Sequence, residues 1–214
     1  MLPKLPVTLR KASSRRESDI FRGFAKSVHA LFITAIDSGS KHRHIIRGFL
    51  YSPDTSDRNF CIGTYESYDF VLLRRTQQAV KATLVQVDLH SRHKHPSTFI
   101  LPNSLPEMLF QRILLLHPYH RQAPYHADDG ISPQFKMNYS VLSLATYFQR
   151  ARGYVTPWVS TLLSRPTNHY AIEIHEDRVY LYLLKSTVAD TRELTQLVES
   201  AVKIAHSIDE DYAG

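Results

Sequence analysis

A single cysteine, Cys61, in a chain of 214 residues leaves no partner for an internal disulfide and rules out a zinc site built from several thiolates. Seven glycines are few for this length, and neither a Walker-type phosphate loop nor a dinucleotide fingerprint occurs. Gly-x-Ser-x-Gly and His-Glu-x-x-His are also absent, so the usual sequence marks of a serine hydrolase and of a zinc protease are missing. The longest apolar stretches, Ala30 to Ile36 and Ile113 to Leu116, fall far short of the roughly 20 residues needed to cross a bilayer. The first eighteen residues lack the apolar core of a secretory signal. A lone thiol and no apolar leader fit a reducing cytosol, and a cytoplasmic location is expected.

Acidic residues are scarce at the start of the chain. Lys4, Arg10, Lys11, Arg15 and Arg16 stand against Glu17 alone in the first seventeen positions. Residues 1–18 therefore read as a basic, flexible arm, and residues 19–214 as one α+β domain. The 43% hydrophobic content is enough for one sizeable core.

The clearest folding signals lie near the C-terminus. A turn centred on Glu176 and Asp177 sets Ile174 opposite Val179, Ile172 opposite Leu181 and Tyr170 opposite Leu183, giving a hairpin with one wholly apolar face. The other face carries Ala171, Glu173, His175, Arg178, Tyr180 and Tyr182, which suits partial wetting or contact with another element. Asp190 with Glu193 three residues on has capping-box spacing, and Leu194, Leu197, Val198, Ala201, Ala205 and Ile208 form one helical stripe. Thr156-Pro157 is a second helix start, with Pro at the first helical position, and Trp158 beside it reads as a packing anchor.

Upstream, Phe21, Phe24, Val28, Leu31, Phe32 and Ala35 predict a long helix from Ser18 or Asp19 to the turn residues at Asp37. His44 to Tyr51, Asn59 to Tyr65, Phe70 to Thr76 and Ala82 to Leu89 read as strands of an antiparallel meander. Leu105 to Leu116 reads as a helix after Pro106, His117 to Pro133 as a long loop, and Phe135 to Leu142 as a strand. The fold class expected is α+β: a mainly antiparallel sheet of about six to eight strands, a long N-terminal helix, and two C-terminal helices flanking the hairpin.

Tyr139-Ser140-Val141, Ala145-Thr146-Tyr147-Phe148, Val155-Thr156-Pro157, Ala171-Ile172-Glu173-Ile174 and Val179-Tyr180-Leu181-Tyr182, taken in order, resemble the closing half of a loosely defined group of uncharacterised bacterial proteins. The resemblance covers about the last eighty residues. It implies a strand, a short Thr-Pro helix, a hairpin and a terminal helix, often placed behind membrane-spanning helices. This chain departs from the group in having no membrane span, and no catalytic residues come with the resemblance.

Chemistry is sought in clusters. His117, His120, His126 and Asp128 could form an open tetrahedral site for a divalent metal, the basis of a metal-dependent hydrolase; the same segment also reads as an exposed polar loop. Arg92, His93 and Lys94 could bind an anion or an acidic partner, or simply be a solvated loop. Arg10, Lys11, Arg15 and Arg16 of the arm could contact an acidic protein, an anionic membrane surface or, nonspecifically, nucleic acid. Cys61 sits in a predicted strand, where a small buried hydrophobe is its expected role. These readings favour a soluble, non-catalytic interaction module contacting an acidic partner or anionic surface.

Overall fold

The computed structural model describes residues 7–36, 48–52, 54–78, 80–91, 93–126, 129–165 and 170–210, with side chains from Ser14 onward. Among these, nine strands make one fully antiparallel sheet: β1 (Leu31–Ile33), β2 (Ser56–Tyr65), β3 (Tyr68–Gln77), β4 (Val80–Asp88), β5 (His95–Pro102), β6 (His120–Gln122), β7 (Tyr139–Leu144), β8 (Tyr170–Glu176) and β9 (Arg178–Leu183). Their spatial order is β1-β2-β3-β4-β9-β8-β5-β7-β6. The helices are α1 (Val7–Ser27), α2 (Glu107–Leu116), α3 (Pro133–Asn138), α4 (Phe148–Gly153), α5 (Pro157–Leu163) and α6 (Thr191–Glu210). The expected α+β class holds, with more strands than foreseen.

Both faces of the sheet are covered. On one, Phe21 and Phe24 of α1 and the apolar stripe of α6 pack on Leu72, Val85, Val87, Val179 and Leu181, joined by α3, α4 and α5. On the other, Leu109 and Ile113 of α2, with Phe49 and Leu50, cover Leu73, Leu84, Phe99, Tyr180 and Tyr182. Alternation along β9 explains the division: Val179, Leu181 and Leu183 point one way, Tyr180 and Tyr182 the other.

The hairpin has the register expected from its sequence, with Tyr170, Ile172 and Ile174 opposite Leu183, Leu181 and Val179. Its second face meets another element as expected: residues 48–50 lie across Ala171, Glu173, Tyr180 and Tyr182, which are buried, while His175 is exposed and Arg178 half-exposed at the turn end. Glu173 is enclosed there and accepts from the Tyr182 hydroxyl at 2.6 Å and the Phe49 N–H at 2.8 Å. Burial raises the Glu173 pKa, against these hydrogen bonds. Gly48 has a φ of +69°, and a Cβ at that position would overlap the Tyr182 hydroxyl. In α6, the Asp190 carboxylate accepts from Glu193 N–H at 2.9 Å while Glu193 reaches back to Ala189 N–H at 2.8 Å. In α5, Thr156 accepts from Val159 N–H at 3.2 Å behind Pro157. Cys61 is fully buried and its thiol donates to the Phe21 carbonyl; burial pushes its pKa up to about 12.

Several elements differ from expectation. The first helix runs from Val7 rather than Asp19, so residues 7–18 of the segment read as an arm are helical, and it stops at Ser27 rather than Asp37. The stop is a Schellman motif: His29 takes a φ of 56°, and Ala30 N–H bonds back to the Ala25 carbonyl at 2.8 Å. Phe32, expected in the helix, pairs with Cys61 in β1 instead. Of the strand expected over 44–51, residues 44–47 lie outside the described residues and 48–51 form a turn region. The loop from His117 to Pro133 contains β6, and Phe135 belongs to α3, capped by Ser132 at 3.0 Å. Trp158 is 42% exposed, not a core anchor.

Candidate functional site: a cationic cleft

The β2–β3 register sets Arg58 directly opposite Arg74, two like charges side by side. Glu17 of α1 resolves the conflict. Its carboxylate lies 2.7 Å from the Arg58 guanidinium and 3.0 Å from that of Arg74. Arg58 also donates to the Ser14 hydroxyl at 3.2 Å, and the Ser18 hydroxyl donates to Asn59 at 2.6 Å. Arg74 is fully buried and donates to Thr83 at 3.1 Å and to the Lys185 carbonyl at 2.7 Å. Burial lowers its pKa while Glu17 opposes the shift. An arginine remains charged under such pressure, so a buried cation sits beneath this part of α1.

With α1 pinned in this way, a cleft of about 270 Å³ separates it from the β9–α6 connection at Ser186 to Ala189. Arg16, Arg58 and Lys81 stand around it, with Ile20 and Val188 as apolar walls. It continues into a shallower depression of about 610 Å³ bordered by Arg15, Asp19 and Thr191. The carboxylates present are already engaged: Glu17 by two arginines, Asp19 by Arg22 at 3.0 Å, and Asp190 by the helix cap. Arg15, Arg16 and Lys81 are exposed and make no ion pair among the described residues. The cleft is thus a net-positive concavity with an apolar wall and two hydroxyls, Ser186 and Thr187, at its edge. Such a lining suits a carboxylate or phosphate attached to a partly apolar body.

The same fold has been seen before. The crystal structure of the mycobacterial trehalose monomycolate transport factor A, TtfA, matches with a TM-score of 0.58 over 92% of this chain and 94% of that chain, at 12% sequence identity. At that identity the likeness to TtfA is one of fold. No protein-family model and no curated protein sequence matches this chain.

The structure distributes the other sequence-predicted residues widely. Arg10 and Lys11 lie on α1 with side chains outside the described set, as do Arg92 and Asp128 altogether. His93 and Lys94 are exposed, and Lys94 pairs with Glu176 at 3.2 Å. His117 and His120 are neighbours, ring centroids 4.8 Å apart, and the His120 Nε2 meets the Ser97 carbonyl at 2.8 Å. His126 is held elsewhere. Asp129 accepts from His126 N–H at 3.0 Å and Ile131 N–H at 3.1 Å, with Lys136 at 2.7 Å, and the His126 ring meets Arg152. Among the described residues no three His, Cys, Asp or Glu side chains gather into a set able to hold a metal ion, so the four-residue site expected at this loop is not assembled by its histidines.

The His90–His95 segment yields a different arrangement. His95, 2% exposed, bridges Ser91 through Nε2 at 2.9 Å and the Tyr154 hydroxyl through Nδ1 at 2.9 Å. The order hydroxyl, imidazole, orienting group has the outline of a nucleophilic relay. However, the His90 and Ser91 N–H groups both go to Asp209 of α6, at 3.0 and 2.9 Å. Asp209 also accepts from Tyr68 at 2.9 Å. What these bonds accomplish is to tie the β4–β5 loop to α6 and α4.

Burial, assisted by the Arg150 charge, pushes His95 down to about 4, and burial does the same to His117. A folded-state pKa below the unfolded value near 6.5 means that the unfolded chain binds more protons. Stability is therefore complete above about pH 6.5 and is lost as pH falls toward 4. For His95 the loss by pH 4.5 is on the order of 2 kcal/mol. Urea unfolding at pH 7 and pH 4.5 should show a smaller acid-induced drop for His95→Gln than for the native chain; equal drops would contradict this.

Proposed function

We propose that the chain is a non-catalytic interaction module of the cytoplasm that takes an acidic segment of a protein partner into the cleft beneath α1. The observation that carries this reading is the convergence of Arg15, Arg16, Arg58 and Lys81, from three separate elements, on one concavity whose carboxylates are all engaged. Arg16 and Lys81 supply the attraction, Arg58 a guanidinium already oriented by Glu17, and Ile20 and Val188 an apolar surface for the partner's flanking side chains. Support comes from the cleft, not from the TtfA likeness.

The test is affinity capture from nuclease-treated lysate with the native chain and with Arg16→Glu/Lys81→Glu. Both side chains are exposed, so the variant is expected to fold. One protein should be enriched reproducibly by the native chain and lost from the variant. Identical captures from both, or none from either, would count against the reading.

A further inference from the structure

His117 closes α2 and His120 opens β6, and the turn between them is tied by the His120 N–H, which donates to the His117 carbonyl at 3.0 Å. Arg121 stiffens the same turn by donating to the Pro118 and His120 carbonyls, each at 2.8 Å. The two imidazoles are thereby held as neighbours against the Phe99 ring, their own ring centres 4.8 Å apart. The His120 Nε2 meets a carbonyl, that of Ser97, and so must carry the ring proton. Its Nδ1 is left as a bare lone pair. That atom is buried without a partner among the described residues, in a side chain only 5% exposed. His95, the other buried histidine among them, has both nitrogens engaged, as a core histidine requires. The His117 ring makes no hydrogen bond among the described residues. Burial pushes His117 down to about 4 and lowers His120 as well, against its bond to Ser97, so both rings are neutral bases at pH 7. A free ring nitrogen whose opposite N–H is fixed on a backbone carbonyl is the arrangement that orients a metal-binding imidazole.

We propose that His117 and His120 form a two-imidazole site for a Cu²⁺ ion, whose remaining positions are filled by water. The donor set disfavours Ca²⁺ and Mg²⁺, which seek oxygen. Copper is preferred because nitrogen donors bind it most tightly among the first-row divalent ions, and because two ligands fall short of the four-ligand closure of a structural zinc site. Imidazoles that share one ion through bonds of about 2 Å have their ring centres about 3 Å from it. Ring centres 4.8 Å apart then meet the ion at an angle on the order of 100°, that of neighbouring corners in a tetragonal site. His117, half-buried, is the side from which the ion reaches the His120 Nδ1. His126 is held by Asp129 and Arg152, and His175 meets the Ser97 hydroxyl at 2.7 Å, so neither completes the set.

The experiment is titration of the full, untagged chain with Cu²⁺ supplied from a glycine buffer, followed by visible absorption and by the loss of NMR signals around the bound paramagnetic ion. A single ion should bind, with signals lost first at residues 117–121 and at Ser97. His117→Ala, at a half-buried position, should weaken binding about tenfold or more with circular dichroism unchanged, and His120→Gln should weaken it as much. Should His120→Gln lose its fold, His117→Ala alone decides. His93→Ala and His126→Ala should bind copper as the native chain does, and Zn²⁺ should bind the native chain more weakly than Cu²⁺. No bound copper, signal loss centred on another histidine, undiminished binding by His117→Ala, or tighter binding of zinc than of copper would each overturn the proposal.

Discussion

Glu17→Ala should lower the free energy of unfolding by about 3–5 kcal/mol, because it strands a buried guanidinium. Arg74 has no exposed surface, and Arg58 lies directly across the ladder from it. With the carboxylate gone, the two cations face each other with nothing between them, and α1 loses the contact that orients it. The predicted consequences are a drop in melting temperature on the order of 10 °C and earlier proteolysis within α1. Glu17→Leu/Arg74→Met, which removes both charges and keeps the volume, should recover much of the stability, since the cost lies in the unpaired ion rather than in the missing pair. A Glu17→Ala protein as stable as the native chain would show that Arg74 finds another counter-charge.

A second large effect is expected one residue along β3, on the other face. Arg75 is 1% exposed and grips Asp57, its cross-strand neighbour, with two parallel bonds of 2.8 and 2.7 Å, while its guanidinium stacks 5.8 Å from the Tyr51 ring centre. Arg75→Met should cost about 3–5 kcal/mol, leaving Asp57 at a site only 16% open to solvent. Arg75→Lys keeps the charge but not the planar fork, and should still cost about 2 kcal/mol. Urea denaturation resolves both values. If lysine behaves like the native arginine, the two-pronged geometry is not what matters.

Consecutive buried arginines on opposite faces of one strand were beyond reading from sequence. Local patterns could be read where local chemistry decides them: the hairpin register follows from apolar alternation about a two-residue turn, and α5 and α6 from their caps. The first part of α1 was not legible, because residues 7–16 have only Val7, Leu9 and Ala12 as apolar positions, too few for a helical stripe; the helix there is sustained by Ser14, Glu17 and Ser18 meeting β2. β5 was hidden by Pro96 and the histidines before it, and β6 by its length of three residues. Arg15 and Arg16 stood out as a charge run, but Arg58 and Lys81 did not. Each is a lone cation in a strand, and only the β2–β3–β4 order brings them beside α1. The histidine loop shows the reverse: close in sequence, His126 is held by Asp129 while His120 faces the Ser97 carbonyl beside His117, so the three do not converge.

The most direct test of the cleft is a titration of the isotope-labelled chain with a synthetic peptide of about ten residues that alternates glutamate and leucine, followed by backbone amide shifts at low salt and again at about 0.5 M. Shifts should concentrate at Arg16, Arg58, Lys81 and Ser186 to Ala189, weaken strongly with salt and be absent in Arg16→Glu/Lys81→Glu. Shifts centred instead on the His93–Lys94 loop, or unchanged in the reversed-charge variant, would contradict it.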